Sequence, residues 1–323
     1  MVDLAVIIAV GSGYHQSALT YSRPPAMLPV LGKPMVVRMM EQLYDGGIKR
    51  FVVVVGRDEG GVAAYLDRSW LPDVQVDFVL KASDIDLSRV LAKITRQYQQ
   101  PFILASYNSF AHSHFTQRIM RVFDENTPEG LLMATAESSL SAHEQPYVGY
   151  LKDDYINSVT AGLPDHDAGI GWLLDYAICG PAFEPFLETL IASGQRTQHL
   201  MDLLGHFVRM QEPIRSVEAA WILPVRSDID LLTLNQHLLE RDQHSHILSE
   251  IPTSVQIIPP VRIDPQVSVG PDAALGPYVY LEAGSQVGAH AHLQKALVLQ
   301  NGVVYANENL SNLLIASRTR IQA

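Results

Sequence analysis

The stretch "GSGYHQSALTYSRPPAMLPVLGKP" occupies Gly11–Pro34 and follows directly on the apolar run Leu4–Val10. An apolar strand that empties into a glycine pair is a common opening for a nucleotide phosphate site, because glycine lets the backbone come close to the phosphates. Gly11, Ser12 and Gly13 are therefore nucleotide-binding candidates. The far end, LPVLGKP, leads into Met35–Tyr44, whose apolar positions recur with helical spacing and stop at Gly46-Gly47. The middle is poor in the charge that phosphate chemistry needs. Arg23 is its one fixed cation before Lys33.

Outward from this loop, apolar runs alternate with helical segments. Phe51–Val55, Val74–Leu80, Pro101–Ala105 and Gly130–Ala136 read as strands, and Val62–Leu66, Leu87–Tyr98 and His114–Asp124 lie in helices. Near-continuous β-branched runs between helices predict a mostly parallel sheet covered on both faces, a Rossmann-like α/β domain. From Tyr147 the pattern turns antiparallel, with strands over Tyr147–Leu151, Ile156–Thr160 and Trp172–Ile178 and a hairpin turn at Asp153-Asp154. Helices over Phe183–Ala192, Thr197–Met210 and Ile229–Asp242 complete a domain spanning residues 1–242. The polar stretch 243–252 reads as a linker.

The remainder, residues 253–323, has another period. Ile257, Ile263, Val269, Leu275, Leu281, Val287, Leu293 and Leu299 recur every sixth residue, with small or β-branched residues mostly two positions before them. Hexads of this kind form the faces of a triangular coil with the aliphatic residue on its axis. The tail is therefore expected to be a left-handed parallel β-helix of about four coils. The register is expected to lapse around Asn301–Asn312 and to resume at Ile315 and Ile321.

Composition narrows the partners. The chain has 323 residues, 47% hydrophobic and 18% charged, with a net charge of −11. That balance, with no long basic run, argues against nucleic-acid and anionic-membrane binding. The single cysteine, Cys179, forms no intrachain disulfide and no cysteine-rich metal site, and reads as a buried thiol. Leu4–Val10 is too short to span a bilayer and Asp3 stands where a signal peptide would be basic, so a cytoplasmic protein is expected.

The glycine pair, the segment Met27–Pro34 and the hexad tail together resemble the sugar-1-phosphate nucleotidyltransferases, such as the glucose-1-phosphate thymidylyltransferases and mannose-1-phosphate guanylyltransferases. The resemblance implies a sugar-1-phosphate attacking the α-phosphorus of a nucleoside triphosphate, with cations and Mg²⁺ neutralising and aligning the phosphates. It also implies where those charges belong, and this chain departs at each point. His15 stands in place of the family's phosphate-gripping arginine, and Pro25 in place of its lysine. Asn108 and Pro224 replace the two metal-binding aspartates. Asparagine offers a neutral oxygen where Mg²⁺ prefers an anion, and proline offers no side-chain ligand at all. The stretch Lys81–Ser88 corresponds to the family's base-recognising segment, so Lys81 joins Arg23 as a nucleotide-binding candidate.

The resulting expectation is a nucleotidyltransferase-family protein with impaired catalysis, binding a nucleotide, a nucleotide sugar or another effector as a regulatory or assembly subunit. It predicts self-association or a complex with a related subunit. Two alternatives stay open. One is an active enzyme with rearranged charges at Arg23, Asp84, Asp86 or Asp228, the only version that calls for Mg²⁺. The other is an acyltransferase working from the coil, although His290 and His292 fall at outward positions. No metal site is expected, and His112 and His114 read as loop residues.

Overall fold

Five consecutive buried residues, Leu4–Ile8, form strand β1 at the centre of a parallel sheet. Its neighbours are β2 (Arg50–Val55) on one side and, beyond it, β3 (Gln75–Leu80); β4 (Phe102–Ser106) lies on the other side. The computed structural model describes residues 2–10, 14–21, 23–69, 73–126, 130–141, 147–162, 169–317 and 319–322. The chain divides into two units, residues 1–15 with 36–225, and residues 16–35 with 226–323.

In the first unit, α1 (Met35–Asp45, whose first residue groups with the other unit), α2 (Gly60–Ser69) and α3 (Leu87–Tyr98) connect the parallel strands. After β4 come β5 (Ser109–Ala111), α4 (Phe115–Asn126), β6 (Leu131–Ala136), β7 (Tyr147–Lys152), β8 (Tyr155–Ala161) and β9 (Ile170–Cys179). Next are α5 (Phe183–Ala192), α6 (Leu200–Arg209), β10 (Ile214–Glu218) and β11 (Ile222–Pro224). The nine-stranded sheet runs β3-β2-β1-β4-β9-β6-β10-β8-β7, and β9 also pairs with β7. Strand order reverses between β1 and β4, and in open α/β sheets ligands bind outside the carboxyl ends of strands at such a reversal.

Helices α3, α5 and α6 bury their apolar faces with one face of this sheet, around Phe102, Phe183, Phe186 and Phe207. Phe186 and Phe207 lie 4.4 Å apart by ring centroid. Each such ring contributes roughly 2–3 kcal/mol by leaving water. Cys179 belongs to this cluster, and burial pushes its thiol well above the ordinary range. Helix α6 starts at Leu200, three residues later than its periodicity suggests. Thr197 is fully buried and spends its carbonyl on Leu87 and its hydroxyl on Ser88, and the helix opens instead at the His199–Asp202 capping box.

The second unit holds α7 (Asp228–Asp242) and a coil of short parallel strands. Gln256 lies opposite Ala274, Val261 opposite Val279 and Ser268 opposite Gln286, so the chain returns to the same face every eighteen residues. One turn thus takes eighteen residues, with Ile263, Val269, Leu275, Leu281, Val287 and Leu293 in one apolar cluster. Successive turns sit so close at Gly288 that a Cβ there would strike the backbone of Tyr305 and Ala306.

The register slips earlier than expected. Lys295, at φ 48°, tightens one side of the coil, and Leu281 lies opposite Val298 instead of Leu299. Val298 takes the axial place and Leu299 does not. Nor does Ile321 resume the coil. Thr319–Gln322 turns back antiparallel on Asn309–Ala316, which ends the parallel stacking. The polar stretch read as a linker supplies a strand of its own, His246–Ile247, which pairs with Arg262–Ile263. No helix among the described residues is long and apolar enough to cross a membrane.

Candidate functional site

The carboxyl edge of the parallel sheet in the first unit gathers polar groups, two of which, the Tyr107 and Ser109 hydroxyls, have no hydrogen-bond partner among the described residues. Gly11, Ser12 and Gly13 lie outside the described residues; Tyr14 after them is buried and His15 is exposed. Lys81 continues β3, its N–H donating to the Val55 carbonyl at 2.8 Å. The residue is only 6% exposed, and among the described residues its ammonium has no hydrogen bond or ion pair. Tyr107, just past β4, is 1% exposed, and its hydroxyl also has no partner. Burial raises the pKa of that phenol strongly, and the charge of nearby Glu59 adds to the effect. The Ser109 hydroxyl is buried and unpartnered as well. Glu59 is itself buried, its carboxylate pressed over Gly56 at the end of β2. Of the acids in the following loop, Asp84 is exposed and Asp86 stands at the start of α3, accepting from Gln198 at 3.3 Å.

Asn108 and Pro224 converge. β5 and β11 form a two-stranded antiparallel ladder in which Ser109 lies opposite Pro224. Asn108 Nδ2 donates to the Val225 carbonyl at 2.8 Å, and the Val225 N–H donates back to the Asn108 carbonyl at 2.8 Å. These two positions, matched to the family's metal points from sequence, are therefore neighbours in space. Both are neutral, and the asparagine Nδ2 is committed to backbone. They do not fit Mg²⁺, which needs anionic oxygen. Among the described residues no three His, Cys, Asp or Glu side chains gather as a metal site. His112 Nδ1 faces the Ala220 N–H at 3.2 Å and its ring packs edge-on against Phe115, while His114 is exposed.

The remaining candidates belong to the second unit and are engaged there. Arg23, expected at the nucleotide, donates to Glu282 at 2.7 Å and to Gln300 at 3.1 Å, both on the coil. Pro25 opens a short 3-10 turn over Pro25–Met27, where its fixed φ is an advantage and its missing donor no loss. Asp228 accepts from the Ser17 hydroxyl at 2.9 Å, and Asp230 caps α7 by accepting from the N–H groups of Arg226 and Ser227.

The LGKP turn carries the most connected cluster of this unit. Leu31 and Gly32 both have positive φ, 45° and 78°, as a two-residue hairpin loop requires. The Leu31 N–H donates to Asn235 on α7 at 2.9 Å, and the Gly32 N–H to the Tyr280 hydroxyl at 3.0 Å. That hydroxyl donates onward to Asp264 at 2.8 Å, and Arg262 donates to the other Asp264 oxygen at 2.8 Å. Burial, then the Asp264 charge, holds the Tyr280 phenol protonated far above its usual range. The sequence signal for this cluster was faint: Arg262 and Tyr280 stand at the middle of the three-residue rungs Val261–Ile263 and Val279–Leu281, between aliphatic neighbours.

Comparison with known proteins shows what the chain resembles. The nucleotidyl transferase family model matches residues 4–143. Over those residues the chain is similar to the nucleotidyltransferases. A segment of 67 residues is 45% identical to a bifunctional IPC transferase and DIPP synthase of Aquifex aeolicus, covering 20% of this chain and 16% of that protein. A UTP–glucose-1-phosphate uridylyltransferase of Haloferax volcanii is 23% identical over 129 residues, covering 40% of this chain and 53% of the relative. The chain thus spans about half or less of the curated relatives it matches. The fold is that of a UDP-glucose pyrophosphorylase solved with UDP-glucose, at TM-score 0.60 and 15% identity over 75% of this chain and all of that one. A putative glucose-1-phosphate thymidylyltransferase from Bacillus anthracis superposes at TM-score 0.62, with 14% identity over 75% of this chain and 97% of its own.

This nucleotidyltransferase-type sheet has further open space at the carboxyl ends of β6 and β10. A cavity of about 590 Å³ is bordered there by Thr135, Glu137, Arg118, Arg215 and Glu218. Its mixed charge suits a ligand with both hydroxyl and anionic groups.

Proposed function

We propose that the chain binds a nucleotide or nucleotide sugar at the carboxyl edge of its first unit, and that it does so without efficient Mg²⁺-dependent transfer, as a regulatory or assembly subunit. The observation that carries this reading is the pair Asn108 and Pro224, adjacent in space and both neutral. One lost transition-state charge slows such a reaction on the order of 10²–10³-fold, and here the paired metal positions are lost together. Lys81, Tyr107 and Ser109 retain donors that a ligand would satisfy. The cavity beside Arg118 and Arg215 suits the sugar half. The coil, which we take to be a left-handed hexapeptide β-helix, serves assembly in this reading. His290 and His292 on it are exposed and support no acyl transfer.

Calorimetric titration with UTP, CTP and UDP-glucose, with and without Mg²⁺, tests the binding. Saturable binding that does not depend on the metal is expected. No binding of any of the three would remove the reading. A second reading, active transfer with rearranged charges, draws on the 45% identical segment. Pyrophosphate release from triphosphate and sugar-1-phosphate separates the two.

A further inference from the structure

Strand β3 is the outermost strand of the nine-stranded sheet, and among the described residues it pairs with β2 alone. Its sequence, QVDFVL, has no proline and no lysine to protect that edge. Its one charge, Asp77, is engaged near α3, accepting from the Tyr98 hydroxyl at 2.6 Å and from Gln75 at 3.2 Å. Phe78 is 37% exposed, Leu80 66% and Ile85 37%. A groove of about 690 Å³ runs between β3 and α3, bordered by Arg89 and Lys93.

We propose that this edge pairs antiparallel with the same strand of a second copy, joining two nine-stranded sheets about a two-fold axis. Residues directly opposite in an antiparallel pair share a face, so the registers that pair most of the strand are centred on Asp77 or on Phe78. Centring on Asp77 sets two carboxylates against each other, which is unfavourable. Centring on Phe78 sets that ring against its own copy, Val76 against Leu80 and Asp77 against Val79. It also carries each Asp77 toward the groove where the other copy has Arg89 and Lys93. Apolar match and charge select the same register. Because the strand complements itself in this way, a second copy is a better occupant than an unrelated strand.

Light scattering at micromolar concentration is expected to give twice the chain mass. Phe78→Lys combined with Leu80→Lys is expected to return the single-chain mass and weaken association by about tenfold or more, with circular dichroism unchanged. If the tail adds a second interface, the double variant halves the assembly instead. Oxidative cross-linking reads the register independently of that variant's folding. Phe78→Cys is expected to form covalent dimers, and Leu80→Cys is not; the native Cys179 is buried and does not interfere. A monomeric parent, a dimer untouched by the double lysine variant, or equal cross-linking at both positions would overturn the proposal.

Discussion

Lys81 and Arg262 are both cations largely withdrawn from water, and only one of them has an anion. Arg262 sits 2.8 Å from Asp264, which also takes the Tyr280 hydroxyl, and Tyr280 holds the Gly32 N–H. Every member of that cluster is satisfied within the second unit. Lys81 in the first unit has no such partner among the described residues, and Tyr107 and Ser109 share its condition. A closed polar network secures a fold; open buried donors are tolerated where a ligand completes them. In the reading proposed above, the difference separates structural charge from ligand-binding charge.

The largest expected effect lies in the closed network. Asp264→Ala leaves Arg262 and the Tyr280 hydroxyl without their acceptor, and is expected to cost about 3 kcal/mol in urea unfolding. A cost under about 0.5 kcal/mol would mean the network is not closed in the way described. Gly32→Ala comes next. Its φ of 78° and the closeness of Arg262 leave no room for a Cβ, and a loss of about 2 kcal/mol is expected by the same measurement.

Lys81→Met removes a charge with no ion pair among the described residues while keeping the apolar stem, so stability is expected to change by less than about 0.5 kcal/mol. Nucleotide affinity is expected to fall about tenfold, the worth of one charge-assisted contact. If the variant is destabilised and still binds normally, the contrast between the two lysine and arginine sites collapses.

The smallest effect is a surface pair, Glu308 and Arg320, 2.7 Å apart. Their hydrogen bond holds the Glu308 carboxyl below its ordinary 4.5. A lowered folded value means that the pair stabilises above the ordinary carboxylate range. The contribution is lost as pH falls through the lowered value. Arg320→Ala is therefore expected to cost about 0.5 kcal/mol at neutral pH, and progressively less in acid. A cost that grows in acid would contradict this assignment.

Much of the sheet was legible because its strands are continuous apolar runs and its helices keep a clean period. Asn108 and Pro224 were matched to metal points by the resemblance, and their adjacency appears only in the ladder of β5 with β11. The fate of Arg23 was not legible: its partner Glu282 is 259 residues away, and no local pattern announces it. The slip at Lys295 hid for a different reason. Shortening one side by a residue puts Val298 on the axis, yet Leu299 keeps the six-residue count intact. Lys81 was marked as a candidate by position, but its burial depends on neighbours from separate strands.

We propose a first unit that keeps a nucleotide site and lacks metal-dependent catalysis. Pyrophosphate release from UTP or CTP with glucose-1-phosphate, followed with Mg²⁺ and with EDTA, tests this directly. The expected result is saturable nucleotide binding with release no faster than the protein-free control, and no response to Mg²⁺. Turnover that Mg²⁺ raises and EDTA abolishes would contradict it.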